Sequence, residues 1–434
     1  MQKYKNKKIA IYGLGKSGYS AARLLKSIKA KIYCWDDNQN TRKKIKKKNF
    51  SLFKFWKLKG RNKVDYIVIS PGIDINNCKI KNFLKKNKKK IITDLDLFYE
   101  MNKRSTIIAI TGTNGKSTTC KIVEKILRND GREVVVGGNI GKPALSLKIS
   151  RKSIIILEIS SYQLAYSKLL RSNHSVILNI SPDHLERHKN LKNYTKIKSR
   201  ILLGQKKNDF SYINHNNVYS NLIKKVHKKN NIKSKLILIK KNDCNFIKKR
   251  IRNKYFTNKG NIENSAFAYE IAKNLNVSEL TILKAINEFK GLPHRQEIVF
   301  SNNKLTCIND SKATSFEASL QSLTNFNKIY WILGGLPKLN DSFNLKEISK
   351  KILKAYIIGK STSFFVKQIK GKVAYSISHN IKNAIKSIFN NIKKTKYKKN
   401  IIIFSPAAAS YDQFKNFEDR GNNFKKLILK SIKK

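Results

Sequence analysis

The chain has 434 residues, of which 40% are hydrophobic and 10% aromatic, enough apolar material for several domains and too much for an intrinsically disordered protein. It carries 92 lysines and arginines against 27 acidic residues, a net charge of +65. Such a charge often marks a nucleic-acid-binding protein, but these lysines are scattered through nearly every segment and form no single basic stripe. We therefore expect a chain-wide compositional bias and no nucleic-acid partner.

The apolar runs and the cysteines argue against a membrane or secreted protein. No apolar run approaches the roughly 18 to 20 residues that a membrane-spanning helix needs, and the first residues enter a strand pattern without an apolar signal segment. The five cysteines are widely spread and form no CxxC pair, so neither a disulfide framework nor a zinc knuckle is indicated. We expect a cytoplasmic protein with reduced thiols and no membrane partner.

Short apolar runs alternate with amphipathic stretches along most of the chain, an order typical of α/β proteins with mostly parallel sheets. Helices are predicted between the runs, for example at 17–29 and 264–275. Buried strands are predicted at 8–15, 65–72, 105–112, 153–160, 175–183, 328–335, 355–360 and 400–407.

Two segments have the composition of domain boundaries. A polar stretch from Thr93 to Ser105 separates the first α/β block from a glycine-containing loop, and "GLPHRQE" at 291–297 has the turn chemistry of a linker. We therefore predict three domains, at residues 1–93, 94–296 and 297–434.

The loop "TGTNGKST" at 111–118 follows one predicted strand and opens a helix. In this arrangement backbone N–H groups and a helix N-terminus surround phosphate oxygens, a lysine neutralises them and a serine or threonine binds Mg²⁺. Ile110 occupies the place of the first glycine of the strict P-loop pattern, so the loop is shorter than usual. The sequence still predicts a phosphate site here in preference to an incidental glycine turn.

A second glycine-rich turn, "GLGKSG" at 13–18, matches GxGxxG and is followed by Asp36 about 20 residues later. Alone, this pattern indicates NAD or FAD, but the same turn accepts any pyrophosphate, including that of a UDP-sugar. Because the chain also carries an ATP-type loop, the first turn could bind the substrate.

Several further motifs occur with these loops: "GGNIG" (137–141), "LEISSYQL" (157–164), "NISPDHLERH" (179–188), "YTKIKSR" (194–200), "GLPHR" (291–295), "NDSKAT" (309–314) and "SPAAASYDQFKNFEDRG" (405–421). Together they resemble the Mur ligases from the first strand to the last helix. The segments "DSKAT" and "DQFKNFEDRG" resemble, within that family, the members that add D-glutamate.

The resemblance implies a ligase of peptidoglycan precursor synthesis, with roles in cell-wall biogenesis, cell shape and cell division. ATP would phosphorylate the alanyl carboxylate of UDP-N-acetylmuramoyl-L-alanine, and the amine of D-glutamate would attack the acyl phosphate. The three domains would be a Rossmann-like UDP-binding domain, a central P-loop-type ATPase domain and a Rossmann-like C-terminal domain. A monomer is expected.

The resemblance also implies roles for individual residues. The residues expected to bind ATP are Gly112, Thr113, Asn114, Gly115, Lys116, Ser117, Thr118, Asn261, Asn264, Arg295, Asp310 and Lys312. Those expected to bind the UDP-substrate are Gly15, Lys16, Ser17, Asp36, Asp37, Gly72 and Asn139. Those expected to bind D-glutamate are Thr314, Lys338, Ser410 and Phe417.

Catalytic roles are implied for Lys116, Glu158, His184 and Lys198, and two Mg²⁺ ions are expected. Ser117 and Glu158 would bind the first ion. His184 and Lys198 would bind the second, with Lys198 carbamylated so that its ammonium becomes a carboxylate-like ligand. Carbamylation requires the neutral amine, so the site must lower a lysine pKa from about 10.4.

Three alternatives remain open on the sequence. An NAD-dependent oxidoreductase would use the first glycine turn and no ATP. A basic nucleic-acid-binding ATPase would bind polynucleotides in a salt-dependent manner. A sister ligase or a folylpolyglutamate-type synthase would keep the fold and add a different amino acid.

Overall fold

The computed structural model of the chain describes residues 1–58, 60, 63–338, 341–395, 397 and 399–432. These residues form two compact units. The first comprises residues 1–253 and 261–288, and the second comprises residues 254–260 and 289–434. The first unit contains two β-sheets and the second contains one.

The first sheet of the first unit is formed by β1 (Lys8–Tyr12), β2 (Lys31–Trp35), β3 (Tyr66–Ile69) and β4 (Ile91–Ile92). These strands are all parallel and lie in the order β2-β1-β3-β4. The accompanying helices are α1 (Lys16–Ser27), α2 (Gln39–Lys46), α3 (Lys81–Lys86) and α4 (Asp94–Met101).

The second sheet of this unit is formed by β5 (Ile107–Thr111), β6 (Val134–Gly138), β7 (Ile154–Glu158), β8 (His174–Ile177), β9 (Phe210–Asn214) and β10 (Lys235–Ile239). It is fully parallel, in the order β10-β9-β8-β5-β7-β6. Its helices are α5 (Lys116–Asn129), α6 (Ser161–Leu164), α7 (Leu185–His188), α8 (Leu191–Ser199), α9 (Ser220–Lys229), α10 (Lys241–Arg250), α11 (Lys259–Lys273) and α12 (Glu279–Asn287).

The sheet of the second unit is formed by β11 (Glu297–Ser301), β12 (Leu305–Asn309), β13 (Ile329–Gly334), β14 (Ile352–Ile358), β15 (Tyr375–His379) and β16 (Asn400–Phe404). The order is β11-β12-β16-β13-β14-β15, and only the pairing of β11 with β12 is antiparallel among these strands. The helices are α13 (Phe316–Leu323), α14 (Thr362–Ile369), α15 (Ile381–Lys394) and α16 (Phe417–Ile432).

The α/β class and the mostly parallel sheets predicted from the sequence are confirmed, and each predicted strand run overlaps an observed strand. The central strands are buried along nearly their whole length, as in β5 and β7. Continuous apolar runs are the pattern of strands covered by helices on both faces. Three sheets agree with three α/β domains, whereas the boundaries at 93/94 and 296/297 stay predictions.

In each of the two sheets of the first unit, the strand order reverses where loops from the carboxyl ends of two neighbouring strands meet. In the first sheet, the loops after β1 and β3 touch, since the Ser70 hydroxyl donates to the carbonyl of Gly13 over 2.7 Å. In the second sheet, the loops after β5 and β8 touch, since Thr113 N–H donates to the carbonyl of Asn179 over 2.9 Å. Such switch points are where open α/β sheets bind ligands.

The first unit is also cross-linked by Asp96 in α4. One carboxylate oxygen accepts the backbone N–H of Thr93 and closes a capping box at the start of α4. The other accepts the Ser167 hydroxyl at 2.7 Å and the backbone N–H groups of Lys168 and Leu169. Asp96 therefore joins α4, which lies between the two sheets in the chain, to residues 167–169 of the segment between β7 and β8.

Among the residues that the structure describes, no helix combines the length and the apolar character needed to cross a membrane.

His174 at the start of β8 is a buried titratable group of the central sheet. Its ring stacks on Phe210, and its Nδ1 lies 2.9 Å from the hydroxyl of Tyr212. Burial lowers the pKa of His174 from its ordinary 6.5 to about 4. Between these two values the unfolded chain binds the proton more readily than the folded one, so stability is lost as the pH falls.

We expect His174 to contribute about 2 kcal/mol to the loss of unfolding free energy between pH 7 and pH 5. Urea unfolding of the wild type and of His174→Gln at both pH values measures this contribution, and the variant should lose correspondingly less. His215→Gln, at an exposed position, is the matched control and should keep the wild-type dependence. Equal losses in the wild type and in His174→Gln would contradict the assignment.

Candidate active site

The loop between β5 and α5 has the geometry of a phosphate cradle. Gly115, which precedes α5, has a φ of 83°, and a Cβ there would lie 2.2 Å from Oδ1 of Asn264. Only glycine is compatible with this position. The Nζ of Lys116 donates to the carbonyls of Gly112 and Thr113, over 2.8 and 2.7 Å. The lysine charge is therefore held above the loop that the sequence predicted to bind phosphates.

The cradle is fixed in shape by the loop after β8. Asn114 N–H donates to Oδ1 of Asn179 over 2.8 Å. The hydroxyl of Thr113 accepts the N–H of Ser181 over 3.1 Å and lies 3.3 Å from the hydroxyl of buried Tyr194. Two neighbouring strand ends thus hold the same loop, so the predicted phosphate ligands are preorganised.

Glu158, the last residue of β7, is a buried carboxylate at the edge of the cradle, with an exposure of 3%. It accepts the hydroxyl of Ser117 over 2.5 Å and the side-chain amide of Asn139 over 2.8 Å. A buried charge needs such partners because desolvation without them is costly. The structure therefore brings together a predicted metal ligand, a residue of the phosphate loop and a predicted substrate contact.

The donor set around Glu158 fits a magnesium ion. A carboxylate and a hydroxyl oxygen are hard ligands, and Mg²⁺ in nucleotide sites is bound by one or two carboxylates together with phosphates and water. Within the described ranges, no group of three or more histidine, cysteine, aspartate or glutamate side chains could hold a metal by itself. A site completed by nucleotide phosphates does not require such a group.

Lys198 in α8 is buried, with an exposure of only 2%. Its Nζ donates to the carbonyl of Gly112 over 2.9 Å and to the hydroxyl of Thr111 over 3.2 Å, and lies 4.8 Å from the ring centre of Tyr194. Burial, reinforced by the charge of Lys116, lowers the pKa of Lys198 well below its usual range. This shift favours the neutral amine, which is the chemical state that carbamylation requires.

His184 occupies a strained turn directly before α7. Its φ of 54° and ψ of 33° are left-handed, a conformation that costs free energy in a residue other than glycine and that often occurs at functional sites. Its Nδ1 lies 3.0 Å from the hydroxyl of Tyr162 and its Nε2 lies 3.4 Å from a carboxylate oxygen of Asp183. Asp183 also acts electrostatically on Lys198, so the two predicted ligands of the second ion share a charged neighbour.

The two predicted asparagines of α11 are both buried, with exposures below 10%. Asn261 and Asn264 are three residues apart, so they lie on the same face of the helix. Asn264 contacts the cradle at Gly115. The part of α11 that carries Asn264 is therefore placed beside the phosphate loop.

The first glycine turn is organised by two aspartates. Asp36 accepts the backbone N–H of Leu14 over 2.6 Å, and Asp37 accepts the hydroxyl of Tyr12 over 2.6 Å. Gly15, Lys16 and Gly72 remain exposed on the surface of this region, and Ser17 is half-buried with its hydroxyl toward the buried Asp94. The predicted aspartates thus shape the turn, and the predicted glycines and lysine leave it open to a ligand.

In the second unit, Asp310 follows β12 and is buried. Its carboxylate accepts the hydroxyls of Ser322 and Ser405 and the backbone N–H of Gln296. Burial raises the pKa of Asp310 to about 6. The ATP contact expected for Asp310 stays a prediction, and the carboxylate already accepts three hydrogen bonds within its own unit.

The remaining predicted residues of this unit lie on neighbouring loops. Lys312 places its Nζ 3.8 Å from the ring centre of Phe417, a cation–π contact. Arg295 stands between His294 and Gln296, both left-handed, with φ values of 62° and 50°. Thr314 and Lys338 are half-buried and Ser410 is buried; residues 339 and 340, in the loop that contains Lys338, lie outside the described residues.

Arg420 in α16 is a component of this region that sequence reasoning did not single out. Its guanidinium is buried and donates to the carbonyls of Ser311 and Ala408 and to the hydroxyl of Ser311. It therefore links the loop after β12 to the loop after β16, which carries Ser410. The signal available in the sequence was an arginine that follows two acidic residues in the first turn of the helix after "DQFKN".

Two family models match the chain. Residues 7–92 match the model described as "Mur ligase MurD-like, N-terminal domain", and residues 110–280 match the "Mur ligase middle domain". A relative from Rickettsia felis, named "UDP-N-acetylmuramoylalanine--D-glutamate ligase", is 35% identical over 443 residues, 98% of each chain. A relative of the same name from Phenylobacterium zucineum is 31% identical, covering 98% of this chain and 97% of its own.

Solved structures of the family have the same fold. The UDP-N-acetylmuramate-alanine ligase MurC from Thermotoga maritima has a TM-score of 0.55 at 16% identity and covers 98% of this chain and 100% of its own. The MurF ligase from the same organism, in complex with ADP, has a TM-score of 0.56 at 15% identity and covers 86% of this chain and 90% of its own. The fold, the full-length relatives and the phosphate loop agree, and the chain belongs to the Mur ligase family of ATP-dependent ligases.

Proposed function

We propose that the protein joins D-glutamate to UDP-N-acetylmuramoyl-L-alanine, with ATP converting the alanyl carboxylate to an acyl phosphate. The observation that carries this proposal is the buried carboxylate of Glu158 against Ser117 of the phosphate loop. The names of the full-length relatives support the choice of substrates. These substrates also support a cytoplasmic location, because ATP and nucleotide sugars are used there.

In this mechanism the chain has to hold two anions together, since ATP and a carboxylate repel each other. Lys116 supplies the positive charge, and backbone N–H groups of the loop with the N-terminus of α5 bind phosphate oxygens. Asn264 packs directly against Gly115 of this loop. In-line placement of the two reactants then accounts for much of the rate, because phosphoryl transfer depends mainly on positioning and charge.

Ser117 and Glu158 would hold the first Mg²⁺, which supplies charge neutralisation between the phosphates when it is bound. Asn139, through its amide on Glu158, orients the carboxylate and joins it to the substrate side of the site. Lys198 as a carbamate, with His184, would hold the second ion. The buried position and the low pKa of the Lys198 amine support this role.

The second unit would bind the amino acid. D-Glutamate carries two carboxylates, which suits hydroxyl, amide and lysine donors such as Thr314, Ser410 and Lys338. Arg420 links the loop that carries Thr314 to the loop that carries Ser410. The ATP contacts expected of Arg295 and Lys312 are part of the proposal.

The alternatives are now unequal. Membership of the Mur ligase family is against the oxidoreductase and the nucleic-acid-binding ATPase. A sister ligase that adds another amino acid keeps the same fold and the same phosphate loop, so it is the second candidate. Amino-acid preference separates the two.

We expect phosphate release from ATP, Mg²⁺ and UDP-N-acetylmuramoyl-L-alanine to depend on D-glutamate and not on L-glutamate, meso-diaminopimelate or L-lysine. The measurement is a phosphate-release assay with the four amino acids in parallel. Lys116→Ala should reduce the D-glutamate-dependent rate by about 100-fold or more, because charge stabilisation at the transferred phosphoryl group is lost. Release with another amino acid would assign the protein to a sister step.

Glu158→Gln should lower kcat by about 100-fold and raise the Mg²⁺ concentration needed for half-maximal rate, because the amide lacks the charge that binds the ion. The matched control is Glu133→Gln, whose carboxylate binds the hydroxyls of Ser150 and Ser153. It should leave the Mg²⁺ dependence unchanged. An unaltered Mg²⁺ dependence in Glu158→Gln would remove Glu158 from the metal site.

A ¹³C-bicarbonate-labelled sample should give a carbamate signal in ¹³C NMR that disappears in Lys198→Arg, because arginine cannot form the carbamate. Lys196→Arg, two residues earlier on α8, is the matched control and should keep the signal. Loss of activity in Lys198→Arg without any carbamate signal in the wild type would assign Lys198 a role as a lysine.

A further inference from the structure

Arg187 is the third residue after His184 and lies in the one-turn helix α7. Both residues that flank this helix, His184 and Lys189, have positive φ values, of 54° and 69°. A turn held in this way at both ends costs free energy and persists only where surrounding contacts stabilise it. The Arg187 side chain supplies such contacts and is only 10% exposed.

The polar contacts of the Arg187 guanidinium lead into the loop after β3. Its Nη2 donates to the carbonyl of Ile73 over 2.5 Å and to the hydroxyl of Tyr166 over 3.1 Å. Its Nη1 lies 3.6 Å from a carboxylate oxygen of Asp74. The Tyr166 hydroxyl in turn accepts the backbone N–H of Ile75 over 3.2 Å. Residues 73–75 are thus held by one arginine and one tyrosine, directly after the predicted substrate residue Gly72.

On its other side, the guanidinium meets the aromatic neighbour of His184. It lies 5.4 Å from the ring centre of Tyr162 and 5.8 Å from that of Tyr166. The hydroxyl of Tyr162 is within 3.0 Å of Nδ1 of His184. A continuous set of contacts therefore runs from the loop after β3, through Arg187, to the imidazole of His184.

A part-buried arginine can be purely structural, and Arg171 of the same unit shows that case. Arg171 forms a bidentate pair with Asp209, and the two residues precede the neighbouring strands β8 and β9. Arg187 differs because its partners belong to two sheets and to two different predicted sites. A planar guanidinium can donate in two directions while stacking on rings, which lysine cannot do.

We propose that Arg187 is a positioning residue that couples the loop at residues 72–75, where the UDP-substrate is expected, to the turn that carries His184. Correct seating of the nucleotide sugar would then set the orientation of His184, and a correctly placed His184 would favour the bound form of the loop. This inference rests on the proposed function, since it takes the ligand of the loop to be a UDP-sugar.

The test compares Arg187→Gln and Arg187→Lys with Arg171→Gln. We expect Arg187→Gln to raise the KM for UDP-N-acetylmuramoyl-L-alanine at least about tenfold while the KM for ATP changes less than about twofold. Arg187→Lys should also have a raised KM for this substrate, because lysine keeps the positive charge but lacks the planar guanidinium that donates in two directions. Arg171→Gln should lower the melting temperature and keep both KM values. Unchanged KM values in Arg187→Gln would overturn the proposal, as would recovery to wild type by lysine.

Tyr166→Phe provides a second route if Arg187→Gln does not fold. It removes only the hydroxyl that joins Ile75 to Arg187, and the KM for the UDP-substrate should rise in the same direction by a smaller factor. A KM equal to that of the wild type would contradict the coupling.

Failure of the proposed function can be told apart from failure of this inference. If another amino acid supports turnover, D-glutamate addition fails and the same KM comparison still decides the role of Arg187. If no amino acid does, calorimetry with UDP alone replaces it. The expected result is at least about tenfold weaker binding to Arg187→Gln than to the wild type, and equal binding, or no binding to the wild type, overturns the inference.

Discussion

The buried carboxylate of Glu158 is the constraint on which the rest of the central site depends. A negative charge at the end of a buried strand is stable only with donors around it, and Ser117 and Asn139 are those donors. Because Ser117 belongs to the phosphate loop after β5 and Asn139 follows β6, satisfying this one charge at the end of β7 brings three strand ends together. Lys198 is a buried amine close to the charge of another lysine, Lys116. Burial and this charge both favour its neutral form.

The same design principle recurs in all three sheets. Loops at the carboxyl ends of parallel strands are pinned to each other by short side chains, as with Ser70 on Gly13 and Ser405 on Asp310. Helices and strands supply the rigid frame, and the loops supply polar groups at a switch point. Loops that lie farther apart can be joined only by longer side chains. Arg187 joins two such loops in the first unit, and Arg420 joins two in the second.

The sequence predicted the fold well wherever strands are long apolar runs, because burial on both faces leaves a continuous pattern. Strands such as β2, β9 and β15 were not predicted, since their exposed or polar residues break that pattern. The phosphate loop was visible because its chemistry is local. The internal bonds of Asp310 and the contacts of Arg187 could not be predicted, because they join segments about a hundred residues apart. The turn that carries Arg187 is also strained, and residue propensities do not indicate such a turn.

The acidic residues of this chain are few, and their positions determine how well they can be substituted. With 27 carboxylates against 92 basic groups, several acids are committed to interior bonds, including Asp96, Asp310 and Glu158. Substitutions of lysines should therefore be tolerated far better than substitutions of acidic residues. Replacing a lysine usually reduces charge repulsion at the surface, whereas replacing an acidic residue more often removes a bond on which the fold or the site depends. Dissolved salt should also stabilise the folded state, because it screens the repulsion among the excess positive charges.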